Sequence, residues 1–364
     1  MTTARVALIG ANGHGLSHRR ALSTMSTVAL VGIADVAPVL DPPEGVPVFA
    51  SHRQLLAEVT PDIVIVCTPP HTHLAIAVDA LRAGADVLLE KPPVLDAAEH
   101  HRLSEVLAET GRSCQVGFQA LASPALDELM STIDSGALGR LASIAAVGAW
   151  KRDETYFTRA AWVGRRSVNG RPTLDGALAN PFAHAVMQVL AIARRPPRMV
   201  EVERYRTRDI EVDDTAVLRL TFDGGLRTLV AVTLCAEEFV PGEIRVCGSL
   251  SDALLEYPTD RLRLPADPVP RDVPGRQSLL SNLIAHRHDP SVELVAPLSR
   301  TLAFTEVLAA LTTAPVVPIN PSYLRTATDL PAPRLVVAGI NETLRAAASS
   351  LALFSELAVP WRTP

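Results

Sequence analysis

The sequence predicts a doubly wound parallel α/β sheet followed by a second domain of the α+β class. Over about the first 120 residues, apolar runs of strand length alternate with helical segments, and such repeats build a parallel sheet with helices on both faces. After Pro197 the apolar runs follow one another with only turns between them, which indicates antiparallel pairing. We therefore divide the chain into residues 1–122 and 123–364, and a length of 364 residues is sufficient for two domains.

The first predicted strand, residues 5–9, leads into a glycine-rich turn and then into a helix from Leu16. A strand, turn and helix of this kind are typical of a dinucleotide site, where the pyrophosphate lies on backbone N–H groups at the start of the helix. The usual spacing is G-x-G-x-x-G. Here Asn12 stands at the middle glycine, so its Cβ occupies space beside the pyrophosphate. The turn residues that we expect to bind the cofactor are Gly10, Asn12, Gly13, His14 and Gly15.

The second predicted strand, residues 28–34, ends at Asp35. An acid at this distance from the glycines accepts hydrogen bonds from the adenine ribose hydroxyls of a dinucleotide. Residues 36–39 contain no arginine or lysine, so a 2′-phosphate would meet a carboxylate without a cation. These features favour NAD over NADP as the cofactor. The alternative role for Asp35 is that of a strand-end cap or turn residue.

A third strand, residues 62–67, is followed by a turn at its carboxyl end, residues 68–73. In a parallel sheet this edge faces the bound cofactor, so we predict that Thr68 and Pro69 line the site. We place His73 with them by position, although capping or packing at the start of the next helix is its expected role. That helix ends at Gly84, a residue type common just past a helix C-terminus.

Glu90 and Lys91 follow an apolar run, residues 86–89, and precede two prolines. Proline has a fixed φ and no N–H, so the strand ends there and an ammonium lies at the edge where open α/β sheets bind ligands. Lys91 can hold a substrate oxygen there or exchange its proton. We also include Glu90 and Lys91 among the predicted cofactor contacts. The alternative is a strand-end lysine that pairs with Glu90 in solvent.

Five parts of the chain together resemble one known family: residues 10–15, Asp35, and residues 68–73, 90–92 and 175–184. They are similar to the glucose-fructose oxidoreductase and inositol dehydrogenase family, Gfo/Idh/MocA. The resemblance implies an N-terminal Rossmann domain and a C-terminal α+β domain with a large, open, mostly antiparallel sheet. It also implies hydride transfer between NAD(P) and a hydroxyl or carbonyl carbon of a sugar, polyol or related small molecule. Assembly as a homodimer or homotetramer through that sheet is the third implication.

The resemblance assigns catalytic roles to Lys91, Asn180 and His184. Asn180 stands where the family usually has aspartate, and Met187 stands where a second aspartate often follows. Residues four apart share a helix face, so Asn180 can meet His184, but an amide neither carries a proton nor stabilises imidazolium by charge. We therefore expect His184 to act as a neutral donor to a substrate oxygen. The alternative is a core histidine on the apolar helix of residues 182–193.

Aromatic and basic residues are concentrated at 150–159 and 162–166, which we interpret as a loop region before that helix. Such side chains stack on a sugar ring or pair with a carboxylate or phosphate, and the alternative is a solvated loop. The net charge of −5 and the lack of a stacking platform disfavour a nucleic-acid surface. The residues predicted to bind the substrate are Lys91, Trp150, Arg152, Trp162, Arg165, Asn180 and His184.

The second domain is predicted from strand-like runs and from two helices. The strands cover residues 197–205, 215–222, 227–234, 242–247 and 253–257, and the helices cover residues 277–288 and 301–312. A last helix within residues 331–358 is expected to return to the first domain.

Composition predicts a cytoplasmic protein. No apolar stretch is long enough to cross a bilayer, and the first strand begins so early that we expect no signal peptide. The cysteines lack metal-site spacing and are expected to be reduced thiols; they are Cys67, Cys114, Cys235 and Cys247. The histidine pairs at 71 and 73, 100 and 101, and 286 and 288 are too isolated to predict a metal site.

Two other functions remain open on the sequence. A glycosidase on the same scaffold would use tightly held NAD transiently. A sensor or regulator would bind the cofactor without turnover. Asn12, Asn180 and Met187 favour the regulator because each departs from the family pattern.

Overall fold

The computed structural model describes residues 3–362, which form two compact units. The first unit contains the chain through Gln119 together with Gln277–Thr305, and the second contains Ala120–Arg276 and the chain from Glu306. The sequence-based division had left residues 277–305 in the second domain. Their assignment to the first unit is a correction, because a helix carries no sequence signal for the sheet against which it packs.

A six-stranded parallel sheet forms the centre of the first unit, in the order β3-β2-β1-β4-β5-β6. The strands are β1 Ala4–Ile9, β2 Val28–Ala34, β3 Val48–Phe49, β4 Ile63–Val66, β5 Asp86–Leu89 and β6 Cys114–Val116. The strand order reverses between β1 and β4, and doubly wound sheets bind ligands at the carboxyl ends of the strands beside such a point. The predicted doubly wound α/β fold is confirmed.

Helices flank this sheet and follow local sequence signals. They are α1 Gly15–Ser23, α2 His52–Val59, α3 His73–Arg82, α4 Ala97–Thr110 and, later in the chain, α8 Leu279–His288. In α4, the carboxylate of Asp96 accepts a hydrogen bond from the Glu99 N–H, and Gly111 ends the helix in the left-handed conformation. An acceptor at the first turn and a glycine after the last are the usual signals for helix ends.

The buried side chain of Gln115 attaches the later segment to the edge strand β6. Its Nε2 donates to the carbonyl of Leu279 at 2.9 Å and to Oδ1 of Asn282 at 2.7 Å, and its Oε1 accepts from the Ala296 N–H at 2.8 Å. Because a buried amide must be hydrogen-bonded, these contacts fix α8 and the chain after it against β6.

The second unit is built on a nine-stranded sheet in the order β16-β15-β14-β13-β7-β12-β11-β10-β17. Its strands are β7 Leu141–Lys151, β10 Met199–Arg206, β11 Thr215–Thr221, β12 Arg227–Thr233, β13 Cys235–Gly248, β14 Asp252–Glu256, β15 Arg261–Arg263, β16 Arg271–Asp272 and β17 Val316–Pro318. Two short hairpins, β8 Ser167–Val168 with β9 Arg171–Pro172 and β18 Leu324–Ala327 with β19 Arg334–Val337, complete the unit. The pairs are antiparallel except β7 with β12 and β10 with β17, so the large, mostly antiparallel sheet is confirmed.

The long central strand β7 was not predicted. The aromatic and basic residues from Trp150 onward predict a loop, whereas the structure places Trp150 and Lys151 at the end of this strand. Alanine and glycine are frequent in β7, and these residues carry little strand propensity. Burial between β12 and β13, rather than local preference, determines the conformation here.

The helices of the second unit are α5 Pro124–Asp134, α6 Glu154–Thr158, α7 Ala183–Ala193, α9 Leu302–Thr313 and α10 Ile340–Ser350, with α9 spanning the passage from the first unit. Among residues 3–362, every helix is too short or too polar to cross a membrane.

Residues 331–358 do not form one helix that returns to the first domain. Part of the segment is β19, and α10 packs on β7, β12 and β13 of its own unit. Ile340, Leu344 and Ala347 lie in one buried cluster with Phe354 and Trp361. The spacing of these apolar residues indicates a helix but does not specify its partner, which is the reason for the correction.

Trp361 should contribute strongly to the stability of the second unit. Its ring is fully buried and lies edge-on to Tyr205 and Phe354, with centroids 5.1 and 5.3 Å away. We predict that Trp361→Ala lowers the free energy of unfolding by about 3–5 kcal/mol. Trp162→Ala, at a tryptophan with an exposed fraction of 38%, should lower it by less than about 1 kcal/mol. Urea unfolding followed by circular dichroism measures both, and equal midpoints for the two variants would contradict this packing.

Candidate functional site

The glycine turn after β1 requires glycine at two places. A Cβ on Gly10 would lie 2.4 Å from the carbonyl oxygen of Cys67, and one on Gly15 would lie 2.0 Å from the carbonyl oxygen of Gly10. Gly10 and Gly13 have positive φ, and Asn12 does not. The turn therefore closes on the start of α1 without a left-handed residue at the middle position, and asparagine meets no backbone restriction there.

The carboxylate of Asp35 is bonded to this turn. Its Oδ2 accepts from the Ala11 N–H at 2.9 Å and from the backbone and side-chain nitrogens of Asn12, each at 3.2 Å. Its Oδ1 accepts from the Ala37 N–H at 2.9 Å, and Asn12 Nδ2 also donates to the carbonyl of Pro38. These contacts show that Asp35 stabilises the glycine turn. Binding of the ribose by Asp35 stays a prediction.

Glu90 lies buried at the end of β5, where two histidines of the neighbouring helix meet it. Its Oε1 is 2.9 Å from His18 Nε2 and 3.5 Å from His14 Nε2. Burial raises the pKa of Glu90, but the hydrogen bonds of His14 and His18 outweigh it and hold that pKa well below its usual range. The same contact with Glu90 raises the pKa of His14. These contacts join β5 to the start of α1.

The ligand atoms of His14, His18 and Glu90 all lie within 4.8 Å of one another, a spacing that could hold a metal ion. No metal site was expected from the sequence, because His14 and His18 flank the start of a helix while Glu90 follows a distant strand. In the structure Glu90 Oε1 pairs with both histidines, and the His14 and His18 rings meet edge to face with centroids 5.4 Å apart.

Lys91 follows Glu90 directly and is half-buried. Its backbone N–H donates to Glu90 Oε2 at 3.2 Å, and a cis peptide bond joins it to Pro92. The buried ring of His73 lies between the carbonyl oxygens of Thr68 and Pro92, at 2.8 and 2.9 Å, and burial lowers its pKa. His73 thus ties the turn after β4 to the segment that carries Lys91. The side chain of Thr68 is bonded within its own turn, to Thr72 Oγ1 at 2.6 Å.

In the second unit, Asn180 contacts a carboxylate that the sequence analysis missed. Its Nδ2 donates to Asp175 Oδ1 at 3.1 Å, while Asp175 Oδ2 accepts from the Gly164 N–H at 2.8 Å. Asp175 precedes Gly176 at the start of the segment that leads to α7. An acid directly before a glycine turn was the sequence feature that could have indicated a site residue. Met187 is buried in the core and does not stand for a missing acid at the surface of the helix.

His184 differs from every other residue of α7. Ala183 and the residues from Ala185 to Ala193 are buried, whereas His184 is only half-buried. An imidazole at the one accessible position of an apolar helix is suited to meet a ligand. Of the predicted catalytic residues, Lys91 belongs to the first unit, and Asn180 and His184 belong to the second.

Trp150, Arg152 and Trp162 are linked through two residues that were not among the predicted contacts, Tyr156 and Arg159. The Arg152 guanidinium lies 4.7 Å from the Trp150 ring and 5.1 Å from the Tyr156 ring. Arg159 lies 3.7 Å from the Tyr156 ring and 5.1 Å from the Trp162 ring. Only Tyr156 lies within α6, and Arg159 and Trp162 follow the end of this helix, so no helical spacing in the sequence indicates that the three side chains meet.

Arg165 does not take part in these contacts. Its Nη1 pairs with Glu211 Oε1 at 3.0 Å. The ion pair holds the Arg165 guanidinium against the chain around Glu211. The two residues are far apart in the sequence, so the sequence does not indicate that they pair.

We predict that the imidazole of His14 titrates above its ordinary pKa and that Glu90→Gln returns it toward that value. His14 gains its partner only on folding, so the pair stabilises the fold below the unfolded-state pKa of about 6.5. This contribution is lost as the pH rises through the higher folded-state pKa. Nuclear magnetic resonance of the ring protons, assigned with His14→Ala, measures the titration. An unchanged His14 titration in Glu90→Gln would show that Glu90 is not the cause.

Comparison with known proteins identifies both halves of the chain. Residues 4–118 match the Gfo/Idh/MocA model described as an oxidoreductase family with an NAD-binding Rossmann fold, and residues 127–251 match the C-terminal domain of the same family. An uncharacterized oxidoreductase from Rhizobium meliloti, ORF334, is 29% identical over 193 residues, which are 51% of this chain and 53% of that protein. An inositol 2-dehydrogenase from Rhizobium meliloti strain 1021 is 31% identical over 142 residues, 38% of this chain and 43% of that protein. The chain thus spans about half the length of the curated relatives that it matches.

Among solved structures, the WlbA dehydrogenase from Bordetella pertussis, in complex with NADH and UDP-GlcNAcA, has a TM-score of 0.71 and 23% identity. The match covers 85% of this chain and 95% of that one, and at this identity it shows a shared fold. The two family models together match more than half of the sequence and describe the two units in order. The chain therefore belongs to the Gfo/Idh/MocA family of oxidoreductases, and its first unit is the NAD-binding Rossmann domain.

Proposed function

We propose that the protein is an NAD-dependent dehydrogenase or reductase that acts on a CH–OH group of a sugar, polyol or related small molecule. The single observation that carries this proposal is the placement of Lys91 at the carboxyl edge of the parallel sheet, directly after the bridged carboxylate of Glu90. Family membership and the inositol dehydrogenases among the relatives support the substrate class.

The residues around α1 fit a dinucleotide. The first turn of α1 contains no acidic residue, and its N-terminal flanking residue is His14. The N–H groups and the positive potential of the helix start suit a pyrophosphate. Arg19 reaches the loop after β2 but binds the carbonyl oxygens of Leu40 and Asp41, which supports NAD rather than NADP.

In this proposal NAD supplies the hydride chemistry, and the chain supplies orientation and proton handling. Lys91 Nζ exchanges a proton with the substrate hydroxyl, and the His184 imidazole donates a hydrogen bond to a substrate oxygen. Asn180 is a positioning residue, since its amide is anchored on the buried carboxylate of Asp175. The Glu90 bridge holds the backbone beside Lys91 while the reaction proceeds.

We also propose that the protein works in the cytoplasm as a homodimer or homotetramer. All four cysteines are free thiols, which supports a reducing compartment. Met199 of β10 and Phe239 of β13 leave large apolar side chains exposed on the nine-stranded sheet, which supports assembly through it.

A regulator that binds NAD without turnover is the second candidate. One observation favours it: the amide of Asn12 already occupies the Asp35 carboxylate that a ribose would contact. This candidate requires NAD binding with no hydride transfer between the cofactor and any sugar or polyol. The glycosidase alternative requires NAD that stays bound through purification and is regenerated in each cycle.

Lys91→Met tests the leading proposal. We expect kcat to fall by about 10²–10⁴-fold because the substrate hydroxyl loses its proton exchange partner, with NAD affinity retained. The matched control is Lys151→Met at the chain's other lysine, which pairs with Asp329 at 3.0 Å. Steady-state rates and calorimetric NAD titration measure the two effects. Full turnover in Lys91→Met would remove Lys91 from the mechanism.

A further inference from the structure

The aromatic and basic residues that follow β7 form one connected group. We define the arginine cluster as Trp150, Arg152, Tyr156, Arg159 and Trp162. Cation–π contacts between 3.7 and 5.1 Å from guanidinium to ring centroid join its members. Such contacts hold each guanidinium by its face. Arg159 Nη1 donates to the Tyr156 carbonyl oxygen, and the other N–H groups of the two guanidinium planes are suited to bind a ligand.

Neither arginine of the cluster has a carboxylate partner among the described residues. Other arginines of the same unit do: Arg204 pairs with Asp213 at 2.7 Å and Arg208 with Glu154 at 2.7 Å. The Arg152 Nε is buried without a hydrogen-bond partner in residues 3–362. A shielded guanidinium that lacks an anion is costly, so this arrangement indicates a site whose anion comes from outside the chain.

Two positive charges lie around one tyrosine of the cluster. Burial lowers the pKa of Arg152 and the positive charge of Arg159 lowers it further, while the Tyr156 side chain and the Asp153 carboxylate raise it. The carboxylate of Asp175 acts on the Tyr156 hydroxyl. Neither of these two acids forms an ion pair with Arg152 or Arg159 among the described residues.

The cluster adjoins the start of α7. The Trp150 ring packs on Phe182 with centroids 4.5 Å apart, two residues before His184. On its other side Tyr156 approaches Asp175, which holds Asn180. Trp150 and Tyr156 of the cluster thus approach the segment that carries Asn180 and His184.

We propose that the arginine cluster is an anion subsite of the substrate site, so that the preferred substrate is a sugar or polyol that carries a carboxylate or a phosphate. The inference rests on the proposed function and specifies its substrate class. Planar guanidinium groups bind both anions through paired N–H···O bonds, so the shared chemistry is that of an oxyanion with two acceptors.

Tryptophan fluorescence tests the subsite directly, because Trp150 and Trp162 lie in it and Trp361 is buried elsewhere. The probes are glucuronate, glucose 6-phosphate, inorganic phosphate and glucose. We expect a saturable change with the acidic sugars and none with glucose. Whichever of glucuronate and glucose 6-phosphate binds more tightly identifies the anion as carboxylate or phosphate. If inorganic phosphate gives the same fluorescence change as the acidic sugars, the cluster is a general anion site and the substrate assignment is overturned.

Arg152→Gln and Arg159→Gln should each weaken binding of the acidic sugar by about tenfold or more, the usual effect of losing a charge-assisted hydrogen bond. The matched control is Arg198→Gln, at an exposed arginine that pairs with Asp223 at 3.2 Å, and it should bind as the unchanged protein does. Thermal melting checks that the variants fold. If Arg152→Gln does not fold, the exposed Arg159 keeps the test valid.

The outcomes separate this inference from the proposed function, because fluorescence requires no turnover. Acidic sugars that bind through both arginines without any hydride transfer would leave the subsite intact and remove the dehydrogenase. Hydride transfer from acidic sugars that is unaffected in Arg152→Gln and Arg159→Gln would leave the dehydrogenase intact and overturn the subsite. In that case the arginines only stabilise the aromatic side chains.

Discussion

The buried carboxylate of Glu90 is the contact on which the cofactor edge of the first unit depends. It follows β5, is shielded from solvent, and is held by His14 and His18 at the start of α1. A buried carboxylate without partners would take up a proton or destabilise the fold, so the two histidines are required where it lies. The bridge fixes the end of β5 against the glycine turn. These two segments carry the residues proposed to bind NAD and to exchange the proton.

The second unit presents its functional groups through a different constraint. The apolar helix α7 is buried along its length except at His184, so packing on β7, β12 and β13 fixes the direction of that imidazole. The Phe182 ring lies where a Cβ on Gly148 would be 2.2 Å away, and this close approach requires glycine in β7. A rigid strand and helix therefore position Trp150 and His184, while the segment between them carries the arginines.

Much of the first unit could be predicted because its signals are local. The apolar run of β1, the glycines after it and the prolines after Lys91 each restrict the backbone within a few residues. The parts that could not be predicted depend on distant partners. β7 is rich in alanine and forms a strand only because two other strands pair with it. The apolar spacing of α10 predicts a helix but does not predict the sheet on which that helix packs. Asp175 belongs to the candidate site because it binds Asn180, and Arg159 because it lies over the Tyr156 ring. The sequence alone does not show these contacts.

The most direct test of the central claim is hydride transfer itself, measured as NADH formation when the protein is mixed with NAD and a panel of neutral and acidic sugars and polyols. NAD should be reduced by at least one compound, at a rate that saturates with its concentration and slows when the transferred hydrogen is deuterium. Micromolar NAD binding without reduction by any compound would contradict the account and would favour the regulator.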